Sequence, residues 1–296
     1  MKRILILLFI LLLSLSSCKH EEEKTPEEKI DQIIENIIED NDKENDQSKE
    51  QKNNEPEDNK SEEQQENQES SDIDNNQEEE EKPQYDYEDC NSIIQLFLEK
   101  YYALDYLNIT CEGTTTAKAV ITYTQIIKNI IILDGANSYY LADSTSGIEQ
   151  YHEAKFNIFN VSYKNKEKDD FTETTLSNYI DIYGITPYTK GVVGYDLTKG
   201  NILDISLVQS KDNIYAYQIK IDPNYDFVEI KKQMKEFGEL KDYPTFDSIT
   251  MTIIMDNELN PIKVILESKY HINKSFILNN VECNQSLTYT YSKRNN

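Results

Sequence analysis

Histidine is too scarce in this sequence to support histidine-based chemistry. The 296 residues include only His20, His152 and His271, and a catalytic triad or a multi-histidine metal centre has little to draw on. His271 lies opposite the apolar phase of its segment and is expected to face solvent. The sequence contains no nucleophile elbow, glycine-rich phosphate loop, zinc-protease motif or Cys-x-x-Cys pair. It therefore predicts no metal site and no cofactor.

Carboxylates are the other groups that could do chemistry. Asp169, Asp170, Asp242 and Asp247 could act as general acid and base, as paired carboxylates do in glycosidases. Pairs of this kind are common in a chain with 55 acidic residues, so we interpret them as solvated surface. We predict no catalytic residue and a protein that is not an enzyme.

Three cysteines lie within residues 86–296, at Cys90, Cys111 and Cys283. An exported domain permits disulfides, but an odd number leaves at least one thiol free or paired between chains. Two interpretations remain open. Either one bridge ties Cys283 to Cys90 or Cys111, or all three are reduced and partly buried.

The fourth cysteine follows an N-terminal segment typical of a secretory signal. Residues 1–3 carry two positive charges, and the apolar run that follows over 4–13 is too short to span a bilayer. The next residues, Leu15-Ser16-Ser17-Cys18, resemble the lipobox of bacterial lipoproteins. That resemblance implies a signal peptide over 1–17, a lipid attached to Cys18, and an anchor on the extracytoplasmic face of the cell membrane. The alternative is an ordinary cleaved signal with an incidental cysteine.

An acidic segment over 18–85 follows the cysteine. It holds about 26 acidic and 8 basic residues, so it carries most of the net charge of −25. Such a composition buries too little apolar surface to offset its ordering entropy, which predicts a disordered tether. Its charge opposes binding to nucleic acid or to anionic lipid. Isoleucines at helical spacing after Thr25-Pro26 predict one short helix over 26–40, either transient or a docking helix.

Residues 86–296 have the composition of one α+β domain. Apolar periodicity predicts helices within 90–107, 172–183 and 222–238, with Asp222 as the cap of the last. Alternating patterns predict a mostly antiparallel sheet, with strands within 116–133, 138–144, 154–164, around Gly194, 213–221, 249–255, 262–272 and 283–293. The segment 202–208 is ambiguous, and a phase slip between Ile158 and Phe159 suggests a β-bulge.

This order of elements resembles the LolA/LolB/LppX-like lipoprotein superfamily. The resemblance rests on a leading helix, long strands, a helix in the concavity and a closing Tyr-Thr-Tyr-Ser-Lys strand at 289–293. It implies a curved half-barrel that wraps helices and encloses an apolar cavity for lipid. The stretch over 217–255 is also similar to uncharacterised surface lipoproteins of low-GC Gram-positive bacteria.

Two functions are consistent with these features. The first is a membrane-anchored protein that binds a hydrophobic or amphiphilic ligand without catalysis. The second is a cell-surface protein-interaction, sensor or adhesin-like module whose core is filled. The expected partners are thus the membrane through Cys18, an apolar ligand such as a lipid, or a surface protein, and no nucleic acid.

Overall fold

An eleven-stranded antiparallel sheet dominates the part of the chain that the structure describes. This computed structural model describes residues 28–39, 85–119, 121–146, 150–274 and 279–292. The predicted signal peptide, the lipid attachment site Cys18 and most of the acidic tether lie outside those ranges. The chain divides into two units, Met1–Glu55 and Pro56–Asn296.

Only a helix is described in the first unit. This helix, α1, covers residues 28–39, and Ile30, Ile34 and Ile37 on it are buried. Their three- and four-residue spacing is the pattern that predicts an amphipathic helix here.

All eleven strands belong to the second unit and pair antiparallel. Their order across the sheet is β6-β5-β4-β3-β2-β1-β11-β10-β9-β8-β7, so the first and last strands pair in the middle. The sheet is curved and open, with β6 and β7 at its edges. The strands are β1 Leu107–Lys118, β2 Thr122–Leu133, β3 Tyr139–Thr145, β4 Gln150–Phe156, β5 Asn160–Lys164, β6 Thr172–Thr175, β7 Ile202–Lys211, β8 Ile214–Ile221, β9 Thr245–Asp256, β10 Pro261–Ile272 and β11 Val281–Ser292.

Three α-helices accompany the sheet in the described part of the second unit. They are α2 Cys90–Tyr102, α3 Leu176–Tyr183 and α4 Val228–Gly238. The predicted fold class, an α+β protein with a curved antiparallel sheet, is confirmed. None of the helices within the described ranges has the length and hydropathy needed to cross a bilayer.

The inner face of the sheet supplies most of the main core. On β9 the alternating residues Ile249, Met251, Ile253 and Met255 are all buried, as the period of two predicts. They pack in one cluster with the buried face of α2. A second, smaller cluster gathers aromatic residues of β3, β4 and α3.

Two predicted β-segments are in fact hairpins. The run over 116–133 contains parts of β1 and β2, which pair antiparallel up to Lys118 and Thr122. Ala119 and Ile121, which follow β1 and precede β2, give no turn signal. The slip at Ile158 and Phe159 is a tight turn between β4 and β5, closed by the Asn157 N–H donating to the Asn160 carbonyl at 2.9 Å. The predicted β-bulge is therefore wrong.

Two helix starts and one strand also differ from the prediction. Residues 172–175 form β6, because they pair with β5, and Thr175 then caps α3. Helix α4 begins at Val228, six residues after Asp222, whose side chain instead accepts from the Asn224 N–H at 2.9 Å in a turn. The strand predicted around Gly194 is only an isolated bridge between Val192 and Tyr195.

The described cysteines are all free thiols. Cys111 and Cys283 are buried, Cys90 is half-buried, and the structure contains no bridge from Cys283 to Cys90 or Cys111. Cys283 pairs with Ala117, six positions along β1 from Cys111. At about 3.4 Å per residue that is roughly 20 Å, beyond the reach of a disulfide.

Candidate functional site

A cavity of about 530 Å³ lies between the inner face of the sheet and helix α4. The strands β1, β2, β10 and β11 line it through residues of one face, such as Ile127 on β2, Leu266 on β10 and Leu287 on β11. Helix α4 closes the opposite side with Ile230, Met234 and Phe237, among other residues. The cavity is therefore bounded by side chains that the sequence pattern directs inward.

Helix α4 covers the cavity without filling it. None of its residues is fully buried, although Ile230 and Met234 pack partly against the main core. The chain on either side is held more firmly, because Phe227 before the helix and Leu240 after it are buried. Helix α4 therefore crosses the cavity and is anchored by buried residues before its first turn and after its last.

A glycine sets how closely α3 approaches α4. Gly184 ends α3 in the left-handed region at φ 68°, and its N–H donates to the Ile180 carbonyl at 2.8 Å. A Cβ at this position would lie 2.7 Å from the carbonyl oxygen of Glu229 in α4. Gly184 therefore ends α3 and also allows α4 to pack closely against it.

A second cavity of about 230 Å³ adjoins the first. The two share Tyr140 and Gln233. The second cavity lies beside the loop that carries Gly191 and Gly194.

One end of the larger cavity is walled by an aromatic cluster around His152. The histidine is only 2% exposed and its ring lies 4.6–6.1 Å, centroid to centroid, from five others. The five rings are those of Tyr140, Tyr163, Tyr179, Tyr183 and Phe237. Three elements of the fold, the sheet, α3 and α4, meet at this imidazole.

Hydrogen bonds set which nitrogen of the neutral His152 ring carries the proton. Asn165 donates its amide N–H to the Tyr183 hydroxyl at 3.4 Å, which leaves its oxygen to accept from His152 Nδ1 at 2.7 Å. His152 Nε2 then accepts from the Tyr179 hydroxyl at 2.6 Å. Burial lowers the pKa of His152 to about 4, and burial raises that of Tyr179, so both stay uncharged at neutral pH.

We expect the stability of the protein to fall as the pH drops from 7 to 5. The unfolded chain protonates His152 near its ordinary pKa of about 6.5, whereas the folded chain does so only near 4. Between these values the unfolded state binds more protons, so the free energy of unfolding decreases by about 2 kcal/mol from pH 7 to pH 5. Urea titrations across this range measure the slope.

The His152→Gln variant tests whether this histidine causes the slope. It should lose most of the slope between pH 7 and 5. An unchanged slope in the His152→Gln variant would show that another group causes it. Glu153 and Glu229, whose pKa values are lowered by hydrogen bonds and ion pairs with lysines, lose their contributions only at lower pH.

The carboxylates considered from the sequence do not form a site. Asp169, Asp170, Asp242 and Asp247 are all exposed. His271 is partly exposed, and its Nδ1 lies 2.9 Å from Asp247 Oδ2. Within the described ranges, no group of three or more His, Cys, Asp or Glu residues could hold a metal ion.

Of the three cysteines considered, Cys283 is the one that lines the larger cavity.

Sequence reasoning missed His152 as part of the site. The signal was present, because His152 is in phase with Ala154 and Phe156 on β4, and all three are buried. A histidine in the apolar phase of a strand indicates a buried imidazole that needs hydrogen-bond partners. The partners of His152 are Asn165 and Tyr179. They lie on other segments, and no local sequence pattern indicates that they contact His152.

The fold and the cavity together define an α+β protein with an open, curved antiparallel sheet whose inner face bounds an internal space. No family model matches the sequence, and no curated protein matches it either. Among solved structures, the Mycobacterium tuberculosis lipoprotein LppX is similar with a TM-score of 0.36 at 13% identity, over 68% of this chain and 92% of that chain. A LolA superfamily protein from Nitrosomonas europaea is similar with a TM-score of 0.23 at 12% identity, over 70% of this chain and 94% of that chain.

Proposed function

We propose that this protein is a membrane-anchored extracytoplasmic lipoprotein that binds a hydrophobic or amphiphilic ligand without catalysis. The observation that carries the binding role is the cavity of about 530 Å³ under helix α4. The anchor rests on the lipobox-like residues that end at Cys18.

The size and lining of the cavity support a ligand. Small-molecule sites are typically about 300–1,000 Å³ and mostly apolar with a few polar groups. Ile230, Met234 and Phe237 on α4 direct apolar surface into the space while remaining only partly buried. An apolar ligand that covers this surface would gain about 25 cal/mol for each Å² removed from water.

A specific observation favours the second candidate function, a surface interaction module. Ile158 and Phe159 in the turn between β4 and β5 are 64% and 76% exposed. Large apolar side chains at a turn tip are typical of contact surfaces. This function does not require the cavity, so ligand binding separates the two candidates.

The test is native mass spectrometry of the chain over residues 19–296, followed by organic extraction. This chain keeps every described residue and lacks Cys18, so any lipid found is a bound ligand and not the anchor. We expect a stoichiometric lipid adduct, either as purified or after incubation with membrane lipid extract. A mass that stays that of the bare chain under both conditions would overturn the binding role and favour the surface module.

A further inference from the structure

A row of uncharged polar side chains crosses the inner face of the sheet. Ser268 on β10, Gln285 on β11, Thr115 on β1 and Gln125 on β2 are direct neighbours in the strand register. We call these four residues the polar row. Its neighbours along the strands are apolar, for example Leu287 two residues beyond Gln285, which also lines the cavity.

Hydrogen bonds order the polar row. The Ser268 hydroxyl donates to Gln285 Oε1 at 3.4 Å, and Gln285 Nε2 donates to Thr115 Oγ1 at 3.1 Å. On the other side, Gln125 Nε2 donates to Ser144 Oγ on β3 at 2.8 Å. Thr115 and Ser268 are 7% and 3% exposed, so the row is built into the wall of the sheet.

Gln285 in the polar row has one N–H donor and one oxygen lone pair available for a ligand in the cavity. A glutamine amide has two N–H donors and an oxygen with two lone pairs. In the described part of the chain Gln285 uses one donor and one lone pair, and Gln285 lines the cavity. It can therefore both donate to and accept from a group placed against it.

A second polar atom in the cavity wall lacks a partner. Asn129 lines the cavity on the same strand as Gln125, and its Oδ1 is the buried side-chain oxygen without a hydrogen bond among the described residues. An unpaired buried acceptor costs about 1–3 kcal/mol. A ligand hydroxyl could offset this cost if the Asn129 amide turns toward it.

Charged residues at the cavity do not favour an anionic ligand. Asp143, Glu236 and Glu239 line it against Lys166 and Lys274. Lys274 already donates to the Gly238 carbonyl at 2.9 Å and lies 3.8 Å from Glu239 Oε2, and Lys166 is exposed. A carboxylate placed at the polar row would lose water without gaining a cation, which is costly.

We propose that the polar row recognises the head group of a single-chain amphiphile that is uncharged and bears hydroxyl groups, such as a monoacylglycerol. This inference rests on the proposed function and adds the chemical class of the ligand. A hydroxyl both donates and accepts, which matches the free capacity of Gln285, while the acyl chain lies against Leu266, Leu287 and the apolar face of α4.

The test compares two probes with the same chain length, 1-lauroylglycerol and laurate, binding to residues 19–296 at pH 7.5 in calorimetric titrations. We expect 1-lauroylglycerol to bind about 10-fold more tightly, the effect of one or two hydrogen bonds. Gln285→Met keeps the length of the side chain and removes the amide, so it should reduce the ratio to about 2-fold with little change for laurate. Thr115→Val should act in the same direction.

The matched control is Gln218→Met, the same substitution on β8 at a residue that is not part of the cavity lining, which should leave the ratio unchanged. Equal affinities, or a preference for laurate, in the wild-type protein would overturn the head-group inference while leaving the binding role intact. If Gln285→Met and Thr115→Val melt like the wild type and still keep the wild-type ratio of the two affinities, the polar row does not recognise the head group. Binding of neither probe would overturn the head-group inference, and the lipid-extract experiment decides separately whether the binding role falls as well.

Discussion

Replacing Gly113 by valine is expected to lower the free energy of unfolding by roughly 3 kcal/mol or more. Gly113 lies inside β1, directly opposite Leu287 of β11 and Ile127 of β2. A Cβ at this position would lie 2.1 Å from the Ser286 carbonyl oxygen and 2.8 Å from the Leu287 Cα. Both are backbone atoms, so only a shift of the two central strands can relieve the overlap.

Gly200→Ala is the control for this prediction. A Cβ at Gly200 would meet only the Thr198 hydroxyl oxygen, at 3.6 Å, so this variant should change stability by about 0.5 kcal/mol or less. Thermal and urea unfolding of both variants measure the difference. If Gly113→Val were as stable as Gly200→Ala, the close approach of β1 and β11 would not exist in solution.

The close approach at Gly113 matters because β1 and β11 join the two halves of the sheet. Each half is a meander of consecutive strands, and within the described sheet the β1–β11 pairing joins the two halves. The same two strands carry Thr115 and Gln285 into the cavity wall. An interior strand glycine is a signal for close backbone approach, but which backbone approaches depends on a partner about 170 residues away.

Local alternation was sufficient to predict much of the second half of the domain. The strands β8 to β11 have inward residues every second position, including Val264, Leu266 and Tyr270, and the turn between β9 and β10 contains Asn and Asp, which favour turns. Sequence and structure agree there because the same residues that form the strand also bury its face.

Alternation failed where the turn residues were unusual or the pairing was distant. Ala119 and Ile121 flank a hairpin turn, but Ile121 is a typical strand residue and alanine is not a turn former. The sequence therefore predicts one continuous segment over 116–133. Residues 172–175 continue a helical pattern yet form a strand, because β5 offers an edge to pair with. Tertiary context outweighed local preference in both cases.

The cavity itself could be expected from the sequence only through resemblance. Its walls combine residues from six strands and α4, and no periodicity reveals whether a helix fills the space that it covers. The polar row is equally hidden, because Gln285 and Thr115 are ordinary strand residues until the register places them side by side.

The largest effect on binding is expected from Ala142→Phe. Ala142 lies on β3 opposite Asn129 and His152, and its side chain lines the cavity. A phenyl ring built there occupies the space next to helix α4 that a ligand would use. We expect the affinity for 1-lauroylglycerol to fall about 100-fold, a loss of about 2.7 kcal/mol of binding free energy, while the melting temperature stays unchanged or rises because the ring gains packing contacts.

Ala154→Phe separates an empty space from a packed one. Ala154 is 0% exposed, lies on the neighbouring strand β4 and pairs with Tyr140 and Tyr163. A phenyl ring there must displace its neighbours, so it should cost about 1–3 kcal/mol of stability. The Cβ of Ala142 faces the cavity, whereas that of Ala154 faces packed side chains. A cavity can accommodate an added phenyl ring, and a packed cluster cannot. If Ala142→Phe destabilises the protein as much as Ala154→Phe, the space under α4 is filled in solution and the ligand-binding function falls with it.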